Sequence, residues 1–167
     1  SDRSGNGNLG LIDSLGNIVL PQQYDLIQPS GHQFITSQDD RMELLSHDLQ
    51  VRFSSQEYKI WPSQHHDQCI DVSCGDAYGL MDSTGKFIVP CRYDRIVMAY
   101  FPNGLARVEK NNLVGFVDRS GKLVIDCSFQ NAGYFSDGLC NVRHDEKWGY
   151  INDKGKVVIP HQYTIGL

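Results

Sequence analysis

Hydrophobic residues in this chain come in short runs, separated by residues that favour turns. Runs such as 87–89 and 157–159 hold only three apolar residues, and short segments such as 149–151 alternate along the chain. Glycine, asparagine, aspartate and proline interrupt every run before it reaches helical length. Aspartate, which favours turns, outnumbers the helix former glutamate 16 to 4. The pattern therefore predicts many short β-strands and an all-β fold.

One sequence unit recurs along the chain. It begins with a glycine and two or three apolar residues, continues with Asp or Asn, and has a second glycine three positions later. A returning segment of the form Lys-x-Val-Ile-Pro follows. The copies occupy residues 9–21, 78–90, 114–126 and 148–160. Since repeats are the sequence signature of arrays built from one structural unit, this periodicity is the main clue to the fold.

The spacing of the copies indicates five units of about 34 residues. The leading glycines Gly79, Gly115 and Gly149 lie 36 and 34 residues apart. Gly10 and Gly79 are 69 residues apart, which leaves room for one further copy. Residues 41–51 fit that place, with Met42 where the glycine is expected. We predict that the second unit is degenerate and that the fifth is cut short after Tyr163.

Each unit is interpreted as three short strands without a helix. The first strand leads into an Asp/Asn-x-x-Gly turn, in which the acid or amide accepts backbone hydrogen bonds and the glycine takes a positive φ. The returning strand ends at proline, and a loop with an aromatic residue follows. A further strand of the form Gly-Leu-x-x-Val begins at Gly104 and Gly138.

The segment 147–160, Lys-Trp-Gly-Tyr-Ile-Asn-Asp-Lys-Gly-Lys-Val-Val-Ile-Pro, resembles a unit of the bacterial WG-repeat family, as does 135–139. The resemblance covers residues 76–163 well, 8–35 less closely and 36–75 poorly. Only Trp148 keeps the family's tryptophan. The resemblance implies a β-rich repeat module from a bacterium, generally without a known activity and with no catalytic residues to transfer.

We expect one domain over residues 1–167, an array of five three-stranded WG-like repeats. The units are placed at 8–40, 41–75 with an insertion, 76–111, 112–146 and 147–167. Such an array either stacks as an open, twisted structure or closes into a small five-bladed propeller. The last unit lacks its Phe-x-x-Gly-Leu strand, and residues 1–8 offer no replacement. The open-ended stack is therefore favoured.

Charge and hydropathy narrow the classes of partner. The net charge is −5 and no basic run occurs, which disfavours nucleic acid because phosphate binding needs clustered Lys and Arg. No run approaches the 20 or so apolar residues of a membrane-spanning helix. No signal peptide is visible, and the sequence favours a soluble protein, cytoplasmic rather than periplasmic.

Three groups of residues could carry chemistry, and each has a structural alternative. The turn residues could bind a metal or a sugar, or simply close turns; they are Asp13, Asp82, Asp118 and Asn152. One repeat position holds Cys91, Cys127 and His161, which could bind zinc but lack a C-x-x-C clamp. The segment His65–Cys69 with Cys74 could bind metal or act as a Cys–His nucleophile, but its polar setting predicts a solvated insertion loop.

The cysteines and the missing motifs weigh against an enzyme. Five cysteines form no regular framework, so we expect free thiols, with a Cys69–Cys74 bridge as the alternative. No phosphate-binding loop, serine elbow or His-Glu-x-x-His motif occurs. We expect no catalytic residue, no bound metal and no cofactor.

The candidate binding residues are Tyr100, Tyr134, Arg107 and Trp61. Tyr100 and Tyr134 each precede a repeat phenylalanine, and neighbours on a strand point to opposite faces. Two outward tyrosines in register are typical of a recognition surface, although they could also cover the gap between units.

We therefore predict a non-catalytic module for protein–protein recognition, whose partner carries a basic face. An immunity or effector-associated role in a bacterium is one form of this hypothesis. Carbohydrate or cell-wall binding is the alternative, and a hydrolase built on His65–Cys69 is a third.

Overall fold

The computed structural model describes residues 8–62, 69–97 and 104–164. Within these ranges the chain is all β, with eighteen strands, no α-helix and no disulfide. The strands are β1 Leu9–Ile12, β2 Ile18–Tyr24, β3 Leu26–Ser30, β4 Gln33–Gln38, β5 Arg41–Leu45, β6 Val51–Ser55, β7 Lys59–Pro62, β8 Cys69–Cys74, β9 Ala77–Asp82, β10 Phe87–Tyr93, β11 Arg95–Val97, β12 Leu105–Lys110, β13 Leu113–Asp118, β14 Leu123–Phe129, β15 Asn131–Ala132, β16 Leu139–His144, β17 Lys147–Asn152 and β18 Val157–Tyr163. Nothing in these ranges is a helix that could cross a membrane.

The strands form five antiparallel sheets in chain order, and none closes on itself. The first sheet is β1–β2, the second β3–β6, the third β7–β10, the fourth β11–β14 and the fifth β15–β18. The prediction of an open all-β array is confirmed. The complete sheets have four strands rather than three, because the segment after the repeat aromatic is itself a short strand that the sequence pattern treats as a loop.

The repeat unit of the sequence is out of phase with the sheets. Each of the first four units starts in the last strand but one of a sheet and ends in the second strand of the next sheet. The copy at 114–126, for example, forms β13 and the start of β14, whereas its Gly-Leu-x-x-Val segment forms β16 in the fifth sheet. These four units therefore tie neighbouring sheets together covalently.

The described parts of the segment 54–75 form strands with buried residues rather than the solvated insertion that its composition predicts. It contains the end of β6, all of β7 and β8, and the buried side chains of Ile60, Ile70 and Val72. Along β7 and β8, polar residues alternate with only a few apolar ones, so the sequence gives a weak hydrophobic pattern. The apolar residues nevertheless form one buried face of the sheet. Residues 63–68 lie outside the described ranges.

The degenerate unit forms the third and fourth strands of the second sheet, one position away from the predicted alignment. Ser46 takes the place of the turn aspartate, since its backbone N–H donates to the carbonyl of Gln50 at 2.9 Å. Leu49 takes the place of the turn glycine and has a φ of 61°. Counting back, Glu43 rather than Met42 occupies the glycine position, and Met42 is buried in the core.

The Asp/Asn-x-x-Gly turns close as predicted. The Oδ1 atom of Asp82 accepts hydrogen bonds from the backbone N–H groups of Thr84 at 2.8 Å and Lys86 at 3.1 Å. Asn152 accepts the equivalent pair of bonds in the fifth sheet. The turn glycines have positive φ between 76° and 84°, at Gly16, Gly85, Gly121 and Gly155. The repeated acids therefore serve the turns.

The leading glycine of the unit is required by a close approach of two strands. The pairing of the third and fourth strands shifts register beside it, as in a β-bulge. A Cβ atom would lie 2.6 Å from the carbonyl oxygen of the facing strand at Gly79, Gly115 and Gly149. Only glycine avoids that clash, and this explains the most regular feature of the sequence.

Hydrophobic cores lie between consecutive sheets. In the fourth sheet, the face toward the fifth carries Val114, Phe116, Ile125 and Phe129, and we call this the forward face. The opposite, backward face carries Ala106, Val108 and Val117, which pack against the third sheet. Among the described residues four such clusters exist, one for each pair of consecutive sheets, and none joins the fifth sheet to the first.

Candidate binding cleft

A cleft of about 350 Å³ opens between the third and fourth sheets. The third sheet contributes Trp61, Asp71 and Tyr78, and the fourth sheet contributes Arg95 at the start of β11, with Asp94 directly before that strand. The rings of Trp61 and Tyr78 meet edge to face, with centroids 6.4 Å apart and planes at 80°. Two aromatic residues and two aspartates thus line one cavity. Arg95 pairs with Glu109 on β12, which places its side chain on the forward face of the fourth sheet, away from the third sheet.

Strand register brings the third-sheet residues together. Trp61 on β7 pairs with Asp71 on β8, and Asp71 pairs with Leu80 on β9. Directly opposed residues share one face of a sheet, so all three lie on the forward face. Leu80 continues into the core between the sheets, whereas Trp61 is half-buried at the edge of that core.

Tyr78 is less buried than its counterpart in the fourth sheet. It stands where the family has tryptophan, and its counterpart in the fourth sheet, Val114, is buried. Tyr78 instead leaves 38% of its surface exposed. The sequence contains this signal, because Tyr78 replaces the expected tryptophan, but only the packing shows that the ring lies beside Trp61.

Asp94 is fixed in place by a turn. Its Oδ2 atom accepts a hydrogen bond from the backbone N–H of Asn111 at 2.6 Å. Gln130 performs the same task one sheet later, accepting from the N–H of Glu146 at 2.9 Å. These turns hold pairs of non-glycine residues, such as Asn111 and Asn112, at positive φ. The side chain of Asp94 or Gln130 stabilises this strained conformation by accepting a backbone hydrogen bond from the turn. The carboxylate at the cleft is therefore preorganised.

The equivalent place between the fourth and fifth sheets is filled. Arg107, which takes the position of Asp71, forms an ion pair with Glu109 at 2.9 Å, and its side chain is only 14% exposed. Its Nη2 atom also lies 3.5 Å from Oδ1 of Asn131. Phe135 packs against Phe116 in this gap, with centroids 5.0 Å apart. The counterpart of Phe135, Phe101, lies outside the described residues.

Two of the predicted binding residues, Trp61 and Arg107, lie in different gaps between sheets. Trp61 lies in the cleft of the third and fourth sheets, whereas Arg107 lies in the next gap, with its Nε atom buried and unpartnered. Tyr134 is 55% exposed and the adjacent Phe135 is buried, although the pair lies between β15 and the bridge at Ser136 rather than on a strand. Tyr100 lies outside the described residues.

Four of the five cysteines, Cys69, Cys91, Cys127 and Cys140, pack in the cores between the sheets. Cys69 is buried in the core of the third and fourth sheets, where burial raises the pKa of its thiol. Burial also raises the pKa of Cys91 and Cys127, and that of Cys140 to about 12. All five thiols are free. A raised pKa disfavours the thiolate that a nucleophile or metal ligand needs.

The histidine and cysteine column does not assemble into a metal centre in the described part of the chain. No group of three His, Cys, Asp or Glu side chains there is placed to hold an ion. The Sγ atoms of Cys91 and Cys127 instead lie beside the bulge glycines Gly79 and Gly115. His161 lies 5.5 Å from the ring of His144, and burial lowers its pKa. His65 to Gln68 fall outside the described ranges.

Comparison with solved structures finds partial likenesses. Hsv2p of Kluyveromyces lactis matches with a TM-score of 0.41 and 11% identity, over 81% of this chain and 50% of that chain. The WD40 domain of SCAP from fission yeast matches with a TM-score of 0.38 and 13% identity, over 87% and 46%. A protein of unknown function from Bacteroides caccae gives 0.33 and 11%, over 92% and 69%.

The chain spans about half the length of the Hsv2p and SCAP chains that it matches. Since each TM-score is below 0.5, these likenesses support no conclusion about function. A comparison with curated proteins found no match.

A family profile accounts for most of the chain. The profile described as WG containing repeat matches residues 10–30, 78–113, 115–148 and 148–164. Each matched segment includes the bulge glycine and the Asp/Asn-x-x-Gly turn of one sheet, the two features that the strand geometry demands. Because the matches span more than half of the sequence, this chain belongs to the WG-repeat family.

Proposed function

We propose that this chain is a non-catalytic interaction module that binds a basic segment of a protein partner in the cleft between its third and fourth sheets. The observation that carries the proposal is the Trp61–Tyr78 ring pair, open to solvent beside the carboxylates of Asp71 and Asp94. Repeat arrays of this kind present extended surfaces, because each unit buries only its neighbours.

The ring pair has the composition of a binding hot spot. Tyrosine and tryptophan offer large contact areas with few rotamers to freeze, and they are enriched where interface energy concentrates. Tyr78 leaves much of its ring in water at a position where Val114 serves the core of the next interface. We attribute the exposed ring of Tyr78 beside Trp61 to contact with a ligand.

Charge favours a cationic side chain as the group that enters. Lysine or arginine is attracted both by aromatic faces and by carboxylates within a few ångströms. Because the backbone N–H of Asn111 already holds the carboxylate of Asp94, binding a partner does not cost the entropy of ordering this side chain. The net charge of −5 adds long-range attraction for a basic face.

Tyr134, with Tyr100 as its predicted companion, is proposed as a second contact for an extended partner. Tyr134 is more than half exposed although the adjacent Phe135 is buried. Arg107 would contribute only if its ion pair with Glu109 opened, so it is placed second to the cleft residues.

The test uses residues that the chain itself carries at equivalent positions. Tyr78→Val installs the residue found at Val114, and Asp94→Gln installs the turn cap found at Gln130. Both variants should fold normally while removing one aromatic ring or one negative charge from the cleft. Val51→Ala, at an exposed position of the second sheet, is the control.

Binding is measured with fluorescent peptides that contain lysine or arginine, with matched acidic peptides, and with soluble cell-wall glycans. We expect the basic peptides to bind, and each cleft variant to weaken them at least tenfold with the control unchanged. Binding that ignores both cleft variants would overturn the proposal. Binding of glycans alone, lost in Tyr78→Val, would replace it with the carbohydrate hypothesis.

A further inference from the structure

A cavity of about 440 Å³ lies between the second and third sheets, beside the turns at one end of their strands. Every residue that lines it has a polar side chain. Arg52, His32 and His47 can carry positive charge there, and no acid is among the described residues of the lining. The cleft of the third and fourth sheets contains two aspartates instead. In a chain with a net charge of −5, this cavity therefore has the opposite character from the cleft.

Arg52 differs from the other residues at its repeat position. The third, fourth and fifth sheets have Ile88, Val124 and Val158 there, and Ile88 packs against the core between the third and fourth sheets. Arg52 lines the cavity, and its guanidinium forms no hydrogen bond or ion pair with any residue that the structure describes. A guanidinium has five N–H donors in a planar fork, so these donors are available to a ligand.

The turn of the second sheet contributes to the same charge. Ser46 stands where the first, third and fourth sheets have the turn aspartate, and His47 follows it. Asp48 returns one negative charge, but its carboxylate accepts a hydrogen bond from the Ser46 hydroxyl at 2.5 Å and does not line the cavity. That bond and the positive charges of Arg52 and His47 lower the pKa of Asp48. The charged groups that face the cavity itself are therefore basic.

The walls of the cavity are joined across the two sheets. The side-chain amide of Gln33 in the second sheet donates to the backbone carbonyl of Ser83 in the third. A Cβ atom at Gly85 would lie 2.9 Å from the carbonyl oxygen of Arg52, so the turn of the third sheet rests directly on the second. Ser30 is only 8% exposed, and its hydroxyl has no hydrogen-bond partner in the described part of the chain. The cavity is thus largely formed before a ligand enters.

We propose that this cavity binds a small phosphomonoester, with the phosphate group held by Arg52, His47 and His32. Guanidinium and imidazole groups bind phosphate through charge-assisted hydrogen bonds, and arginine can donate two parallel ones. The hydroxyl of Ser30 and the remaining polar side chains suit the hydroxyl groups of a sugar phosphate. The volume lies in the ordinary range of small-molecule sites. This site is separate from the proposed cleft and binds a ligand of opposite charge.

The variants use residues that other sheets carry at the same positions. Arg52→Val installs the residue found at Val124, and His47→Ser installs the one found at Ser83. Both side chains are exposed, so the fold should survive, and circular dichroism checks this. Arg52→Lys keeps the charge but removes the planar fork. Lys156→Asn, at an exposed position in the turn of the fifth sheet, removes one positive charge away from the cavity and is the matched control.

Calorimetry measures the affinity for glucose 6-phosphate, inorganic phosphate and glucose, and amide NMR spectra locate the contact. We expect glucose 6-phosphate to bind more tightly than inorganic phosphate, and glucose not to bind. The amide signals of residues 30–33, 46–52 and 83–84 should shift. Arg52→Val should weaken binding by about tenfold or more, because a hydrogen-bonded charge is lost. His47→Ser and Arg52→Lys should weaken it less, and Lys156→Asn should leave it unchanged.

Other outcomes would overturn the proposal. Absence of binding by glucose 6-phosphate at millimolar concentrations, or binding that Arg52→Val leaves unchanged, would show that the cavity is not a phosphate site. Equal affinities for glucose and glucose 6-phosphate would indicate a sugar site that does not use the charge. Binding of a phosphoserine peptide without binding of glucose 6-phosphate would replace the small molecule with a phosphorylated protein.

Discussion

The turn residue Gly121 in the fourth sheet lies directly against the backbone carbonyl of Ile88 in the third sheet. A Cβ atom added at Gly121 would overlap that oxygen. Gly16 occupies the same turn position in the first sheet with nearly the same φ, yet nothing lies within 4 Å of its added Cβ. Two glycines with one local conformation therefore differ in what surrounds them.

This difference predicts unequal effects of the same substitution. Gly16→Ala meets only the strain of a positive φ and should lower the free energy of unfolding by about 1 kcal/mol. Gly121→Ala adds the overlap with Ile88, so the loss should reach about 3 kcal/mol. Urea denaturation measures both values. Equal losses would show that the contact between the third and fourth sheets is looser than described.

The turn carboxylates should be replaceable by the amide that the chain already uses. Asp82→Asn should leave the unfolding temperature near its original value, because Asn152 makes the same backbone bonds. Asp82→Ala should lower the free energy of unfolding by about 1 kcal/mol, since the backbone donors lose their acceptor. Thermal melts of the two variants compare these outcomes. A large drop in the unfolding temperature of Asp82→Asn would show that the negative charge of Asp82 stabilises the chain beyond the hydrogen bonds of the turn.

His161 should make stability depend on pH. Burial, together with the nearby His144, lowers the pKa of His161 below its ordinary value of 6.5. The unfolded chain therefore binds this proton more readily, and the free energy of unfolding should fall as the pH drops below about 6.5, levelling off below the folded-state pKa. His161→Gln, which installs the residue found at Gln22, should flatten the profile. His47→Gln, at an exposed position, should not.

Thiol reactivity should follow burial. Cys140, whose pKa burial raises to about 12, and Cys69, which is buried in the core, should react with a disulfide reagent only when the chain unfolds. The half-buried Cys74 should react first under native conditions. Mass spectrometry after brief labelling locates the modified residues. Rapid labelling of Cys69 would reopen the nucleophile hypothesis for its segment.

Hydrogen exchange should report the uncovered end of the array. In dilute solution β18 should exchange faster than β14, although both are fourth strands of the same kind, because only β14 has a sheet on its forward face. β7 and β8 should be protected, since Ile60, Ile70 and Val72 are buried. Equal protection of β14 and β18 would mean that another part of the chain covers the fifth sheet.

The features that the sequence predicts correctly are local ones. The Asp/Asn-x-x-Gly turns depend on hydrogen bonds between residues two to four apart, so Asp82 and Gly85 suffice to identify one. The leading glycine at Gly79 is equally regular, although its cause, the carbonyl of Val89, becomes visible only in the strand pairing. Tyr134 is exposed beside the buried Phe135 as the sequence predicts, although neither residue lies on a strand.

What the sequence by itself determined is the all-β repeat with its turns, because each of those choices is made within a few residues. The tertiary structure alone decided the four-stranded sheets, the strands within 54–75 and the burial of Arg107, since these depend on segments that the chain brings together from a distance. The tertiary structure also decided which of the residues at equivalent repeat positions are buried. Phe129 and Tyr163 hold the same place in the repeat, but one has a sheet packed upon it and the other does not.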